Sequence, residues 1–175
     1  MAPAHQRGRQ GVGTALVRAG VAAAKVRVEP WSEHDDEDFR SVRNEAYRDQ
    51  WGPMPQDLWQ NKITNQTFEP ETSFLLRDAA TGTPVGVLVT MHWEADTAAT
   101  GIRDARSMLI GTLREYRRCG AASGLIGHAL RAAAAQQYHR AGLSVDSANP
   151  FGAFGIFERA GFTPTIRDVR WAFEV

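Results

Sequence analysis

The sequence predicts one α/β domain in which helices cover both faces of a mixed, mostly antiparallel central sheet. Two observations support this fold class. Apolar and polar residues alternate in several short segments, as is typical of strands, whereas residues 32–47 and 122–137 carry apolar residues at the helical period. These strand-like and helix-like segments follow one another along the chain, with turns rich in glycine, proline and small polar residues between them.

The composition argues against several classes of protein. Hydrophobic residues make up 43% of the 175 residues, which is enough for a substantial core, and we find no signal peptide or membrane-spanning run. The 20 lysines and arginines equal the 20 aspartates and glutamates, so no overall field draws the chain to nucleic acid or to an anionic membrane. The single cysteine, Cys119, cannot form an internal disulfide and suits the reducing cytoplasm, which is the expected location.

The first half of the chain contains an extension, three strands and two helices. We interpret residues 1–24 as an N-terminal helical extension and residues 25–175 as the complete domain. The predicted elements of the first half are a strand from Val26 to Trp31, a helix with Phe39, Val42, Ala46 and Tyr47 on one side, a second helix from Gln56 to Ile63, and a hairpin of strands 72–77 and 83–93. Trp51 and Trp59 are expected in core packing, with a role in lining a substrate pocket as the alternative.

The second half is predicted to alternate strands with helices. In chain order, the pattern predicts a loop at 94–104, a strand from Ala105 to Leu113, a helix from Ala122 to about Gln137, a strand from Leu143 to Ala148, a helix at 151–162 closed by Gly161, and a last strand from Thr163 to Glu174. We expect the strand at 143–148 to lie beside the strand at 105–113 and to splay away from it. This splaying would leave a slot for a ligand.

The turn before the Ala122 helix is the stretch around which the chain is organised. It reads Arg117-Arg118-Cys119-Gly120-Ala121-Ala122. Unpaired N–H groups and the positive end of the helix dipole make such a turn suitable for a phosphate. Gly120 allows a close approach of the backbone, and the two arginines add positive charge. A solvated helix cap is the alternative for this motif taken alone.

A second motif lies about thirty residues further along and, with the first, resembles the GCN5-related N-acetyltransferase (GNAT) superfamily. The phosphate loop of that family, Gln/Arg-x-x-Gly-x-Gly/Ala, is matched by Arg117, Gly120 and Ala122. Its later Asn…Tyr-x-x-x-Gly-Phe segment is matched at three positions, and Phe157 stands where the tyrosine is expected. The three matching residues are Asn149, Gly161 and Phe162.

The sequence of residues 149–153, Asn-Pro-x-Gly-Ala, looks most like the corresponding segment in the C-terminal domain of tandem-GNAT bacterial members related to mycothiol synthase. By this resemblance, residues 1–24 look like the tail of a preceding GNAT domain whose front is missing. An amphipathic helix that packs on the domain or frays, and binds no ligand, is the simpler interpretation of the same segment.

The resemblance implies an acyl-CoA-dependent N-acyltransferase fold and acetyl-CoA as the co-substrate. Backbone groups of Leu113 would meet the pantetheine arm, and Asn149 would contact the same arm from the neighbouring strand. The implied cofactor-binding residues are Leu113, Arg117, Arg118, Cys119, Gly120, Ala121, Ala122, Ser123 and Asn149.

The catalytic residues are not identified by the sequence. Phe157 has no proton to donate to the leaving thiolate, and Tyr116, Ser147 and Cys119 are weak candidates to replace the family tyrosine. No general base is assigned. A nucleophilic role for Cys119 is disfavoured because no histidine is near it in sequence, and no metal site is expected, since the histidines lack metal-binding spacing.

The function expected from these observations is transfer of an acetyl group from acetyl-CoA to a primary amine by direct attack in a ternary complex. The acceptor would be a small molecule or a peptide. Neither nucleic acid nor a membrane is expected as a partner, and the sequence does not decide whether the protein forms a homodimer. One alternative is an acyl-CoA-binding domain with weakened catalysis and a regulatory or structural role. The other is an interaction module that has lost the cofactor.

Overall fold

The computed structural model describes residues 26–146 and 153–168. Within them lies a five-stranded sheet whose strands follow the order of the sequence. The strands are β1 (Val26–Pro30), β2 (Phe74–Asp78), β3 (Pro84–Met91), β4 (Asp104–Thr112) and β5 (Arg140–Leu143). The pairs β1–β2, β2–β3 and β3–β4 are antiparallel, whereas β5 runs parallel to β4.

Helices connect these strands on both sides of the sheet. The α-helices are α1 (Asp36–Ala46), α2 (Gln56–Ile63), α3 (Glu94–Thr100), α4 (Ala121–Ala135) and α5 (Ala153–Arg159), with short 3-10 helices at Glu33–Asp35, Pro70–Thr72 and Arg114–Tyr116. In the part of the chain that the structure describes, no helix is both long enough and apolar enough to cross a membrane.

Two apolar clusters show that the sheet is covered on both faces. Leu75 and Leu76 are neighbours on β2 and point to opposite faces, as alternation along a strand requires. Leu76 lies in a cluster with the buried stripe of α4, and Leu75 lies in a cluster with residues of α1 and α2. The α4 cluster also contains Leu88, Leu125, Ile126 and Ala129, and the α1 cluster contains Phe39, Val42, Trp59, Val87 and Leu109. This arrangement confirms the predicted mixed α/β fold with helices on both faces.

Strand β4 departs from regular pairing in two ways. Val89 pairs with Leu109 but Thr90 pairs with Ser107, so Met108 is an extra residue that forms a β-bulge. On the other side, β5 pairs with β4 only from Asp104 to Ser107. From Met108 onward, β4 has no partner on that side among the described residues, and the sheet opens along this half of the strand.

Three of the predicted elements in the second half need correction. The segment 94–104 contains the helix α3 where a loop was expected, and it escaped prediction because none of its helical residues is buried. The strand after α4 lies at Arg140–Leu143, because its pairing with Asp104–Ser107 fixes its position, and residues 144–146 of the predicted strand 143–148 are not in a strand. Residues 163–168 form no strand, and the rest of that predicted strand, with residues 1–24, 147 and 149, lies outside the described residues.

Candidate active site

The turn that joins β4 to α4 has an unusual backbone. After Leu113 the chain forms the 3-10 helix Arg114–Tyr116, becomes extended at Arg117, and then takes positive φ at Arg118 (62°) and at Gly120 (86°). Gly120 is the N-cap of α4, and the left-handed region that it occupies is easily accessible only to glycine. These two residues turn the chain sharply, so that α4 begins directly beside the end of β4.

The first turn of α4 leaves its backbone donors open. Among the described residues, none of the N–H groups of residues 118–123 donates to another backbone group; the first to do so is Gly124, whose N–H donates to the Gly120 carbonyl at 2.9 Å. No carboxylate lies in this turn, whereas α1, α2 and α3 each carry acidic residues in theirs. No acidic residue of the turn itself therefore compensates the dipole of α4, and the turn suits an external anion.

The two arginines of the turn have different environments. Arg118 is exposed and makes no hydrogen bond or ion pair with the residues that the structure describes. The Arg117 side chain is half-buried, and it donates from Nε to the Thr112 carbonyl (3.2 Å) and from Nη2 to the Ala46 carbonyl (3.0 Å). Arg117 thus ties the turn to the C-terminus of α1, in addition to its predicted role beside a phosphate.

The open edge of β4 is adjacent to this turn. The Leu113 N–H donates to the Val85 carbonyl (2.9 Å) and so faces β3, and the backbone groups of Ile110 and Thr112 face the opposite side by alternation. The Ile110 carbonyl accepts a hydrogen bond from the Tyr47 hydroxyl (2.6 Å), and the Thr112 carbonyl accepts the one from Arg117. The N–H groups of Ile110 and Thr112 therefore face the opening beside β4.

Tyr116 and Cys119 pack beside the turn, each with its proton already engaged. The Tyr116 hydroxyl donates to Oδ2 of Asp78 (2.9 Å), and this hydrogen bond raises the pKa of Tyr116. The Cys119 thiol donates to the Tyr116 carbonyl at 2.9 Å. Because each proton is already donated within the protein, neither group is free to protonate a leaving thiolate without breaking its bond. Their assignments as substitutes for the family tyrosine stay predictions.

Phe157 lies in the last turn of α5, which ends in a Schellman motif. The Phe162 N–H donates to the Phe157 carbonyl (3.0 Å), the Gly161 N–H donates to the Glu158 carbonyl (2.9 Å), and Gly161 has φ of 91°. The rings of Phe157 and Phe162 meet edge to face with their centroids 6.1 Å apart. Phe157 is only partly buried against the α4 cluster, and its assignment to the family's tyrosine position stays a prediction.

The remaining predicted residues are either outside the described chain or engaged elsewhere. Ser147 and Asn149 lie outside the described residues. His92 is buried and hydrogen bonds to the Asp104 carbonyl, His128 to the Gly124 carbonyl, and His139 accepts the Arg103 N–H. Within 26–146 and 153–168, no group of metal-binding side chains comes together.

The structure adds residues near the site that the sequence interpretation did not include. The sequence predicts Tyr47 on the buried side of its helix but does not predict its bond to β4, because that bond joins residues 63 positions apart. Arg43 is 6% exposed and shares that buried side with Phe39, Val42 and Ala46. A charged residue within an otherwise apolar helical stripe is a signal that the sequence did offer.

A known protein family matches most of the chain. The family model described as "Acetyltransferase (GNAT) family" matches residues 29–162, which include β4, the turn and α4. A search of curated protein sequences gave no significant match.

Solved structures share the fold at low sequence identity. The aminoglycoside acetyltransferase AAC(6')-Iy, in complex with a bisubstrate analogue of CoA and acetylneamine, is 16% identical, with a TM-score of 0.65 over 86% of this chain and 99% of that one. An aminoglycoside acetyltransferase from an uncultured soil metagenomic sample, in complex with trehalose, is 13% identical, with a TM-score of 0.68 and coverages of 86% and 97%. A ribosomal-protein-alanine N-acetyltransferase from Brucella melitensis biovar Abortus 2308 is 15% identical, with a TM-score of 0.61 and coverages of 84% and 99%.

Proposed function

The chain belongs to the acetyltransferase (GNAT) family, and from this premise we propose that it transfers the acetyl group of acetyl-CoA to a primary amine by direct attack in a ternary complex. The observation that carries the proposal is the first turn of α4, where the N–H groups at 118–123 donate to no backbone group of the described residues and the turn contains no acidic residue. A CoA pyrophosphate is an anion of the kind that such a turn binds. Solved relatives of the same fold were determined with CoA or a CoA-based analogue.

The proposed binding mode uses the turn and the open edge of β4 together. The N–H groups of residues 118–123 bind the pyrophosphate, and the exposed Arg118 adds charge beside it. The amide-rich pantetheine arm then extends along the opening of the sheet, where the N–H groups of Ile110 and Thr112 are available. The N–H and carbonyl of Leu113 are already bonded to Val85 and Tyr116, so its contact with the arm is the least supported of the predicted ones.

The proposed chemistry needs few side chains. The neutral amine nitrogen attacks the thioester carbonyl, a C–N bond forms, and the C–S bond breaks. The proton lost by the nitrogen neutralises the departing CoA thiolate, either directly or through water. A backbone N–H on the open edge of β4 can polarise the carbonyl during this step. The thiol is acidic enough to leave without a strong general acid, which is compatible with Phe157 at the tyrosine position.

A second candidate function follows from the missing hydroxyl. Phe157 has no proton to give, and the proton of Tyr116 is held by Asp78. A domain that binds acyl-CoA with little turnover, and acts by regulation or structure, has the same phosphate turn. Binding measured together with turnover separates the two functions.

The experiment is thermal unfolding of the protein with and without saturating acetyl-CoA, with ATP as a control for general phosphate binding. A ligand at 100 times its dissociation constant adds about 2.7 kcal/mol to the free energy of unfolding, which raises Tm by several degrees. Release of free CoA thiol in the presence of a panel of amines then measures turnover. Stabilisation with turnover supports the enzyme, stabilisation without turnover supports the binding domain, and no stabilisation by acetyl-CoA contradicts both.

A further inference from the structure

Ser107 is the last residue of β4 that pairs with β5. Its partner there is Leu143, and from Met108 onward this edge of β4 is open among the described residues. Met108 is also the extra residue of the β-bulge, so the pairing of β4 with β3 is interrupted at the same place. Ser107 therefore marks the fork at which β5 leaves β4.

The side chain of Ser107 points to the face of the sheet that α4 covers. Ser107 is opposite Thr90 on β3, and residues opposite each other in an antiparallel pair point to the same face. Thr90 is two residues from Leu88, which packs in the α4 cluster, so Thr90 and Ser107 both lie on that face. Both residues also line, with Ala129 of α4, a cavity of about 10 Å³, which has room for about one water molecule.

The hydroxyl of Ser107 is available to a ligand. Three hydroxyl-bearing residues line the cavity, and two of them donate to backbone carbonyls: Thr90 to Thr72 at 2.8 Å, and Thr72 to Glu69 at 3.5 Å. The half-buried Ser107 hydroxyl makes no hydrogen bond with the residues that the structure describes. A polar group in such a place needs a partner from outside the chain, either a water molecule or a bound molecule.

The proposed binding mode of CoA brings the thioester to this fork. The pantetheine arm has about twelve bonds between its phosphate oxygen and its sulfur, as many as about four residues of extended chain. From Thr112, beside the phosphate turn, to Met108, the open edge of β4 extends about 13 Å at about 3.3 Å per residue. An arm that follows this edge from the turn therefore ends where β5 closes the edge, and its sulfur lies next to Ser107.

The predicted position of the family tyrosine lies on the same face of the sheet. Phe162 lines the cavity together with Ser107, and its ring meets the ring of Phe157 edge to face. Both phenylalanines pack against the α4 cluster. Phe157 carries no hydroxyl, whereas Ser107 presents one in the cavity that Phe162 shares. A hydrogen-bond donor is thus present on the strand, near the helix position that lacks one.

We propose that the Ser107 hydroxyl donates a hydrogen bond to the sulfur of CoA as the C–S bond breaks, and that it stabilises the thiolate in this way. Hydrogen bonds to a charged acceptor are stronger than those between neutral groups, so this bond strengthens as the reaction proceeds. Ser107 keeps its own proton, and the proton that neutralises the sulfur is the one that the amine nitrogen loses. The inference rests on the proposed function, because it names a catalytic residue for the same reaction.

The test removes the hydroxyl at nearly constant shape. Ser107→Thr keeps the hydroxyl that Ser107→Val replaces with a methyl group, and both variants are assayed with acetyl-CoA and the amine that wild type acetylates fastest. We expect kcat to be at least about tenfold higher for the threonine variant than for the valine variant, because only threonine can donate to the thiolate. The KM for acetyl-CoA should differ by less than about threefold, since the bond forms mainly in the transition state.

Two further variants make the comparison independent of the added methyl group. Ser107→Ala removes only the hydroxyl oxygen and should lose at least about tenfold in kcat relative to wild type, whether or not the larger side chains allow folding. Ser41→Ala is the matched control, because it removes an exposed hydroxyl from α1 and should leave kcat unchanged. Equal kcat for the folded threonine and valine variants overturns the proposal, as does a Ser107→Ala protein with the kcat of wild type.

Acetyl-CoA binding and turnover by wild type separate the two proposals. If acetyl-CoA raises Tm and an amine is acetylated, but Ser107→Ala keeps the kcat of wild type, only the inference about Ser107 fails. If wild type acetylates no amine of the panel, the proposed transfer reaction fails first, and the inference fails with it.

Discussion

Phe157 is held by contacts that a tyrosine would keep. Its ring meets Phe162 edge to face, and its carbonyl accepts the hydrogen bond that closes α5. Because the ring is only partly buried, a hydroxyl at its tip does not have to enter a closed core. At this residue, packing and proton transfer are therefore separable.

We expect Phe157→Tyr to raise kcat for acetyl transfer while changing the free energy of unfolding by less than about 1 kcal/mol. The added phenol supplies the proton donor that the site lacks, and a positioned general acid contributes about 100-fold or more when the leaving group needs one. Steady-state rates and thermal unfolding of the two proteins measure the effect. An unchanged rate would show that water or another group protonates the thiolate.

Tyr116 is expected to act in structure and not in proton transfer. Its hydroxyl donates to Asp78, which also accepts the N–H groups of Ala80 and Thr81 in the β2–β3 turn. Tyr116→Phe should therefore change kcat by less than about threefold, whereas loss of a general acid costs about 100-fold or more. If kcat of this variant instead falls by about 100-fold and its pH–rate profile loses the limb that reports a general acid, Tyr116 is the proton donor.

The hydrogen bond between Tyr116 and Asp78 also predicts how the free energy of unfolding depends on pH. The turn N–H of Thr81, followed by the Tyr116 hydroxyl, lowers the pKa of Asp78, so this contribution is present above the unfolded-state value of about 3.9 and is lost as pH falls through the folded one. Asp78 raises the pKa of Tyr116, so that contribution is present below about pH 10 and is lost as pH rises through the folded value. The difference in stability between wild type and Tyr116→Phe should accordingly be flat between about pH 5 and 9 and shrink outside that window. A difference that varies across neutral pH would contradict the pairing.

At the scale of elements, the contact between α1 and β4 depends on a glycine. A Cβ at Gly111 would lie 3.0 Å from Cβ of Ala46 and 3.0 Å from Cε2 of Tyr47. Gly111→Ala should therefore push α1 away from β4, lower the free energy of unfolding by about 1–3 kcal/mol and weaken the Tyr47 bond to Ile110. Gly52→Ala is the control, because its Cβ meets nothing within 4 Å and should be neutral or slightly stabilising. Equal effects of the two substitutions in denaturant unfolding would refute the close approach.

Elements with a strong apolar period were predictable from the sequence, and elements fixed by long-range pairing were not. The stripe of α4 and the continuous apolar runs of β2 and β3 appear in the residues themselves, because α4 is buried on one face and these strands are buried on both. Helix α3 has no buried residue, and β5 begins at the polar Arg140 because its pairing with Asp104 determines where it starts.

At the scale of the whole molecule, the domain boundary at residue 25 is a proposal. The family model matches from residue 29, and β1 begins at Val26. We expect a protein that lacks residues 1–24 to bind CoA with unchanged affinity, because the turn, β4 and α4 all lie beyond that segment. Calorimetric titration of both forms checks this. A loss of affinity would show that residues 1–24 support the site.

The central claim is that the first turn of α4 binds the CoA pyrophosphate, and Ala122→Asp tests it most directly. Aspartate in the first turn of a helix favours its dipole, so the fold should be as stable as before, yet the added carboxylate repels a phosphate. Gln56→Asp adds the same charge to the first turn of α2 and serves as the control. Calorimetric titration with CoA should show binding to wild type and Gln56→Asp, and a loss of at least about 100-fold in affinity for Ala122→Asp. Unchanged affinity of a folded Ala122→Asp protein would contradict the account.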